Sequence, residues 1–256
     1  MNCERVILDA LAPKPRMLAR ISSRSALATD FTLLMERVSG FQLDEFRGAI
    51  VGRNALSRAS HSARAKLFQE LKGRYLLDEN VPLFAAFLAE WQATLDAQER
   101  LLLAYTLFAL NDRTVYVISC DWLFPRLREA SSELRLGDLI TFLRALGRQA
   151  CPEIAAWTPS TLTRVAQHYL ASVRDFGLAT GGSRKVSARP SLKAAPIRLL
   201  LRALRLAGVP QAEALRHPAF RLLGMAQGEV VDALAELNRQ GSLRFRMQAD
   251  VIELQL

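Results

Sequence analysis

Strand signals in this 256-residue chain are confined to two short stretches, and the rest follows the 3.6-residue period of the helix. Phe31, Leu34, Met35 and Val38 begin that pattern, and Gly40 closes the segment. Leu43 to Val51 predicts a second helix, followed by a polar turn from Gly52 to Ala59. Ser60 is placed to cap a third helix reaching about Leu77, with Leu67, Phe68, Leu71 and Tyr75 on its buried stripe. Pro82 suits the first turn of a helix over Leu83 to Gln92, and Asp96 caps another through Leu110. Thr114 to Cys120 and Trp122 to Ala130 predict two short helices. Such faces can be buried only helix against helix, so the first half predicts an all-helical bundle.

From Leu136 the pattern changes. Asp138 to Ala150 predicts a helix, Cys151 to Trp157 a connection, and Thr158-Pro159 the capped start of another helix. That helix buries Leu162, Val165, Tyr169, Val173 and Phe176 and stops at Gly177. Gly181-Gly182 then separates two short strand candidates and permits a type I′ hairpin turn. Helix, helix and a glycine-tipped basic hairpin is the order of a winged helix-turn-helix. The order returns at the C-terminus, with helices over Ile197 to Ala207, Gln211 to His217 and Gly228 to Gln240. Two period-2 runs follow, Leu243-Phe245-Met247 and Ile252-Leu254-Leu256, with Asp250 between them. The predicted fold is mainly α, a helical bundle followed by two small winged-helix-like modules with β-hairpin wings. Its divisions are an N-terminal segment of unassigned structure (1–28), a helical domain (29–130), a central module (131–190) and a C-terminal module (191–256).

Composition bears on partners more than on fold. A hydrophobic share of 50% excludes a disordered tail, and the net charge of +9 points toward a polyanion. The 34 basic residues include five lysines and 29 arginines, a bias that base composition alone can produce. Position is more informative: residues 151–200 carry seven basic against two acidic side chains, while the remaining blocks are nearly balanced.

Cys3, Cys120 and Cys151 form no C-x-x-C pair, which argues for a reducing compartment and against a disulfide framework or zinc site. His61, His168 and His217 have no ligand-spaced partners. There is no G-x-x-x-x-G-K-S/T, no G-x-G-x-x-G after a strand and no G-x-S-x-G. No enzymatic activity, cofactor, metal or catalytic residue is therefore expected. The start, Met1 to Pro15, carries Glu4 and Asp9 and makes a poor signal peptide. The apolar run Leu101 to Leu110 is too short to span a bilayer, so a soluble cytoplasmic protein without membrane contact is expected.

Three stretches together resemble the BrxA family of BREX phage-defence systems. They are SRASHSARAKLFQELKGRYLL (57–77), WTPSTLTRVAQHYLASVRDFGL (157–178) and LLGMAQGEVVDALAELNRQGSL (222–243) with its hairpin. The resemblance runs from about Thr29 to the end, and its specificity lies in the ordered set. It implies a small, mostly helical, non-enzymatic component with winged-helix-type modules that binds double-stranded DNA and works beside other BREX components.

A recognition helix buries one side and offers arginines, amides and hydroxyls on the other. The helix from Pro159 does so with Ser160, Thr161, Thr163, Arg164, Gln167, His168 and Arg174, and Asp175 is its only acid. Ser183, Arg184 and Lys185 on the wing, then Arg189, complete the DNA-binding candidates. A second basic surface is conceivable from Arg53, Arg58, His61, Lys66 and Lys72, although the turn at 52–59 is long for a helix-turn-helix. Arg64 falls on the Leu67–Leu71 stripe and is expected to tie helices together. The last helix turns Glu229, Asp232 and Glu236 outward, which would repel phosphate and suits a structural role or a protein-partner surface. Arg244 and Arg246 could grip a backbone as a wing, but pairing with their strand neighbour Glu253 is the simpler expectation. Alternative readings are an assembly adaptor docking through helical surfaces and a basic helical RNA-binding protein.

Overall fold

A computed structural model describes residues 16–129, 131–191, 193–248 and 251–255. Cys3, Ala130, Asp250, Leu256 and the start before Arg16 lie outside the described residues. A 3-10 turn at Arg20–Ser22 leads into α1 (Ala28–Arg37) and α2 (Leu43–Arg47), which continues through a π-helical turn, Gly48–Gly52. Next come α3 (His61–Tyr75), α4 (Pro82–Ala93) and α5 (Ala97–Asn111). α6 runs from Arg113 to Arg128, with π-helical bonding over Ile118–Leu123. The local start signals act as expected: Ser60, Asp96 and Thr158 each accept a backbone N–H of their helix's first turn. Asp112 likewise takes the N–H groups of Thr114 and Val115. In place of two short helices over 114–130, α6 is continuous, because the π turn absorbs the break in periodicity without ending the backbone ladder.

One core runs through these elements. Phe31 of α1 stacks on Tyr75 of α3, with ring centroids 3.7 Å apart, and touches Phe87 and Trp91 of α4. Phe108 of α5 joins Tyr75 to Phe176, just past the central long helix. Residues before Thr29 take part: Met17, Ile21 and Ala26 are buried, and the Tyr75 hydroxyl donates to the Ala26 carbonyl at 2.8 Å.

The central elements are α7 (Leu136–Gln149), α8 (Pro152–Ala155), α9 (Pro159–Asp175) and the antiparallel strands β1 (Ala179–Thr180) and β2 (Val186–Ser187). The hairpin closes through five residues, 181–185, rather than a two-residue type I′ turn. Only Gly181 of the glycine pair adopts positive φ, at +88°, whereas type I′ needs it at both central positions. A Cβ at Gly181 would meet the Arg184 carbonyl oxygen at 2.1 Å. Segment 132–134 adds a third line of pairing, since Leu134 N–H donates to Lys185 and Ser187 N–H donates to Ser132.

The C-terminal part comprises α10 (Ala194–Leu206), α11 (Gln211–Ala214), a 3-10 turn (Pro218–Leu223), α12 (Gln227–Arg239) and the antiparallel pair β3 (Arg244–Gln248) and β4 (Val251–Gln255). α10 packs on α4 and α5, so this part shares the bundle's core. Glu90 of α4, only 2% exposed, accepts from Arg198 at 2.7 Å and Arg202 at 2.9 Å. Leu243 and Phe245 are buried, but Met247 is half exposed. Arg246 stands opposite Glu253 in register, yet that carboxylate accepts from Gln255 and closes no ion pair with an arginine among the described residues. The chain is mainly helical with two small antiparallel hairpins. Among the described residues no single helix is long and apolar enough to cross a membrane; α5 and α6 pass that test only together and are bent by 111°.

Candidate nucleic-acid interface

α9 is oriented by its buried side. Leu162, Val165, Tyr169 and Val173 enter the core, and the Tyr169 hydroxyl meets Ser119 in the π turn of α6 at 2.8 Å. At about 100° per residue, Ser160, Arg164, Gln167 and Arg174 then fall within one narrow outward stripe. All four are exposed. Arg164 and Gln167 make no hydrogen bond or ion pair among the described residues, whereas Arg174 pairs with Asp175 at 2.8 Å. Thr161 lies to the side, with its N–H taken by Thr158.

Pairing of segment 132–134 with β2 sets the wing beside this stripe. Gln167, Ser183, Arg184 and Lys185 line one cleft of about 380 Å³, shared with Glu133, Arg135 and Leu170. The Arg184 side chain is 75% exposed, with only a 3.5 Å contact to Glu133. Lys185 donates to the Gly182 carbonyl at 2.9 Å. Arg135, which sequence reasoning missed, is tied to Glu133 at 3.0 Å and brings a third cation to the cleft. Its only signal was a basic residue just before a helix. Glu133 is the cleft's acid, held below the usual carboxylate range by the Arg135 hydrogen bond, against desolvation, and by the charges of Arg135 and Arg184.

Two other candidates have structural partners. His168 sits about 80° from the stripe, and its Nδ1–H donates to the Ile21 carbonyl at 2.7 Å. In the neutral ring this leaves only Nε2, as an acceptor. Arg189 lies beyond the wing and donates to Glu229 at 2.9 Å.

The second basic surface does not assemble. Arg53 pairs with Glu45 at 2.5 Å, and Arg58 grips both oxygens of Asp30 at 2.6 Å. On α3, Lys66 points about 140° away from His61, while Lys72 lies near His61's direction three turns on. Arg64 donates to the Val51 carbonyl at 2.8 Å, joining α3 to α2 as expected. The acidic face of α12 is partly spent as well. Glu229 binds Arg128, Arg189 and the Ala226 N–H, and Glu236 pairs with Arg239. Asp232 alone remains exposed without an ion pair among the described residues.

The BrxA family model matches residues 18–202, which hold the bundle, α9, the wing and most of α10. The chain belongs to the BrxA family. No significant match is found among curated proteins or among solved structures. BrxA membership suggests a BREX-associated role. The match starts ahead of Thr29, taking in residues 18–28, and stops at 202, so the stretch 222–243 and its hairpin lie outside it.

Proposed function

We propose that this BrxA-family chain is a non-enzymatic, cytoplasmic, double-stranded-DNA-binding component of a BREX-type defence system. The observation that carries the reading is the cleft in which Gln167 of α9 meets Ser183, Arg184 and Lys185 of the wing, with Arg164 one turn away on the same exposed stripe. The order of segment 132–134, α7, α9 and the β1–β2 hairpin supports reading this module as a winged helix, whose second long helix would enter a groove while the wing grips the backbone. Phosphate-directed cations outnumber base-reading side chains here, so sequence preference is weak.

The test is fluorescence anisotropy with duplex DNA across a salt titration. Arg164→Ala combined with Arg184→Ala and Lys185→Ala weakens binding and lowers the salt slope by about 2–3. Unchanged affinity and slope would reject the site.

A second reading, an assembly adaptor, is favoured by a groove of about 340 Å³ between α5, α10 and α12, with an apolar floor that includes Leu102, Ile197 and Ala233. Asp232 and Glu236 stand on its rim. Co-purification with neighbouring BREX proteins that is lost in Ala233→Arg, with DNA binding intact, would support it.

A further inference from the structure

A cavity of about 610 Å³ lies away from the α9–wing cleft, between α6 and the 3-10 turn Pro218–Leu223. That volume falls within the range of small-molecule sites. Three features set it apart from a packing defect. Tyr116 lines it, is only 4% exposed, and among the described residues its hydroxyl closes no normal hydrogen bond, with the weakly bonding Cys120 thiol as its polar neighbour. The neighbouring Cys120 thiol is turned instead to the Pro218 carbonyl, 3.7 Å away. A buried hydroxyl is rarely left unpaired unless something else completes it.

The second feature is the wall. The π turn Ile118–Leu123 contributes Cys120 and Asp121 to the lining, and such turns recur at functional sites. The third is charge. Arg216 is exposed with no ion pair among the described residues. Arg221 has only a 3.5 Å contact to Asp121 and lies over the Phe124 ring at 5.6 Å, which pre-organises its guanidinium. His217 receives the Ala219 N–H on Nδ1, so a neutral ring carries its proton on Nε2. Burial pushes the Asp121 carboxyl upward, partly offset by the Arg221 charge.

We infer that this cavity binds a nucleoside monophosphate, its phosphate held by Arg216 and Arg221 and its base or sugar completing the Tyr116 hydroxyl. Two guanidinium forks match a phosphate better than a single point charge would. The remaining volume and aromatic lining suit a flat organic body. The site is independent of the DNA-binding reading.

The experiment is isothermal titration of the full chain with the four common 5′-nucleoside monophosphates, adenosine and inorganic phosphate, beside thermal melts. One or more monophosphates bind at least about tenfold more tightly than adenosine or inorganic phosphate. Arg221→Ala weakens that binding about tenfold or more, and Tyr116→Phe about three- to tenfold, while the ligand-free melting temperature of Tyr116→Phe equals or exceeds that of the parent. Arg164→Ala combined with Arg184→Ala and Lys185→Ala leaves nucleotide binding intact. The inference is overturned by no monophosphate binding at about 5 mM, by phosphate alone binding as tightly, or by Tyr116→Phe binding like the parent. It is also overturned if Tyr116→Phe lowers the ligand-free melting temperature, because the hydroxyl would then already have a partner.

Discussion

The Arg189 guanidinium donates to Glu229 Oε1 at 2.9 Å, across 40 positions of sequence. Glu229 Oε2 takes Arg128 at 2.5 Å and the Ala226 N–H at 2.7 Å. One carboxylate thereby joins the end of α6, the segment after the wing and the start of α12. A residue that looked like a repulsive surface acid is a clamp, and its neighbour Arg189 serves that clamp.

The clamp carries a pH signature. Burial raises the Glu229 pKa, but the Ala226 N–H and the two arginines outweigh it and hold the carboxyl at about 2, below its ordinary 4.5. A folded value below the unfolded one contributes stability above about pH 4.5 that is lost as pH falls toward 2. The carboxylate is more than a third exposed, so the effect is screened. Thermal melts should place Glu229→Gln about 2–4 °C below the parent at pH 7, with the gap clearly narrower at about pH 3. An equal gap at both pH values would show that charge is not the source.

Glu90 presents the buried counterpart. Glu90→Ala leaves Arg198 and Arg202 without their shared carboxylate against the α4–α10 packing and should cost about 3 kcal/mol or more in urea unfolding. Arg202→Ala should cost less, because Arg202 is more exposed and Arg198 still pairs. A Glu90→Ala loss below about 1 kcal/mol would contradict this account.

The basic residues of the central module should separate by assay. His168→Ala removes the bond to Ile21 and should lower the melting temperature while leaving the salt slope of DNA binding unchanged. Arg164→Ala should leave the melting temperature within about 1 °C of the parent and reduce the slope by about 1. A lowered slope in His168→Ala would return that histidine to the interface.

Gly181→Ala tests the wing. Its φ of +88° and the 2.1 Å approach to the Arg184 carbonyl leave no room for a Cβ. A local cost of about 1–3 kcal/mol should appear as faster hydrogen exchange at the Leu134 and Ser187 amides, which bond across this sheet. Unchanged exchange at both would mean that the loop relaxes freely.

The amino-acid sequence by itself determined what is local. Ser60, Asp96 and Thr158 stand within three residues of the N–H groups they accept, so side-chain chemistry places those helix starts. The apolar periodicity of α9 likewise settled that Arg164 and Gln167 face outward, because the period fixes opposite sides of one helix. The continuity of α6 was less legible, since a π turn shifts the period in the same way that a break does.

Only the tertiary structure decided which charges are spent. Arg58 meets Asp30 across 28 positions, and His168 meets Ile21 across 147. The Tyr116 cavity, too, exists only because the Pro218–Leu223 turn packs against α6. The physical reason is that periodicity tells a side chain which way to point and carries no information about what chain folding brings opposite it. An exposed arginine and a clamped one have the same sequence signature, and only packing distinguishes them.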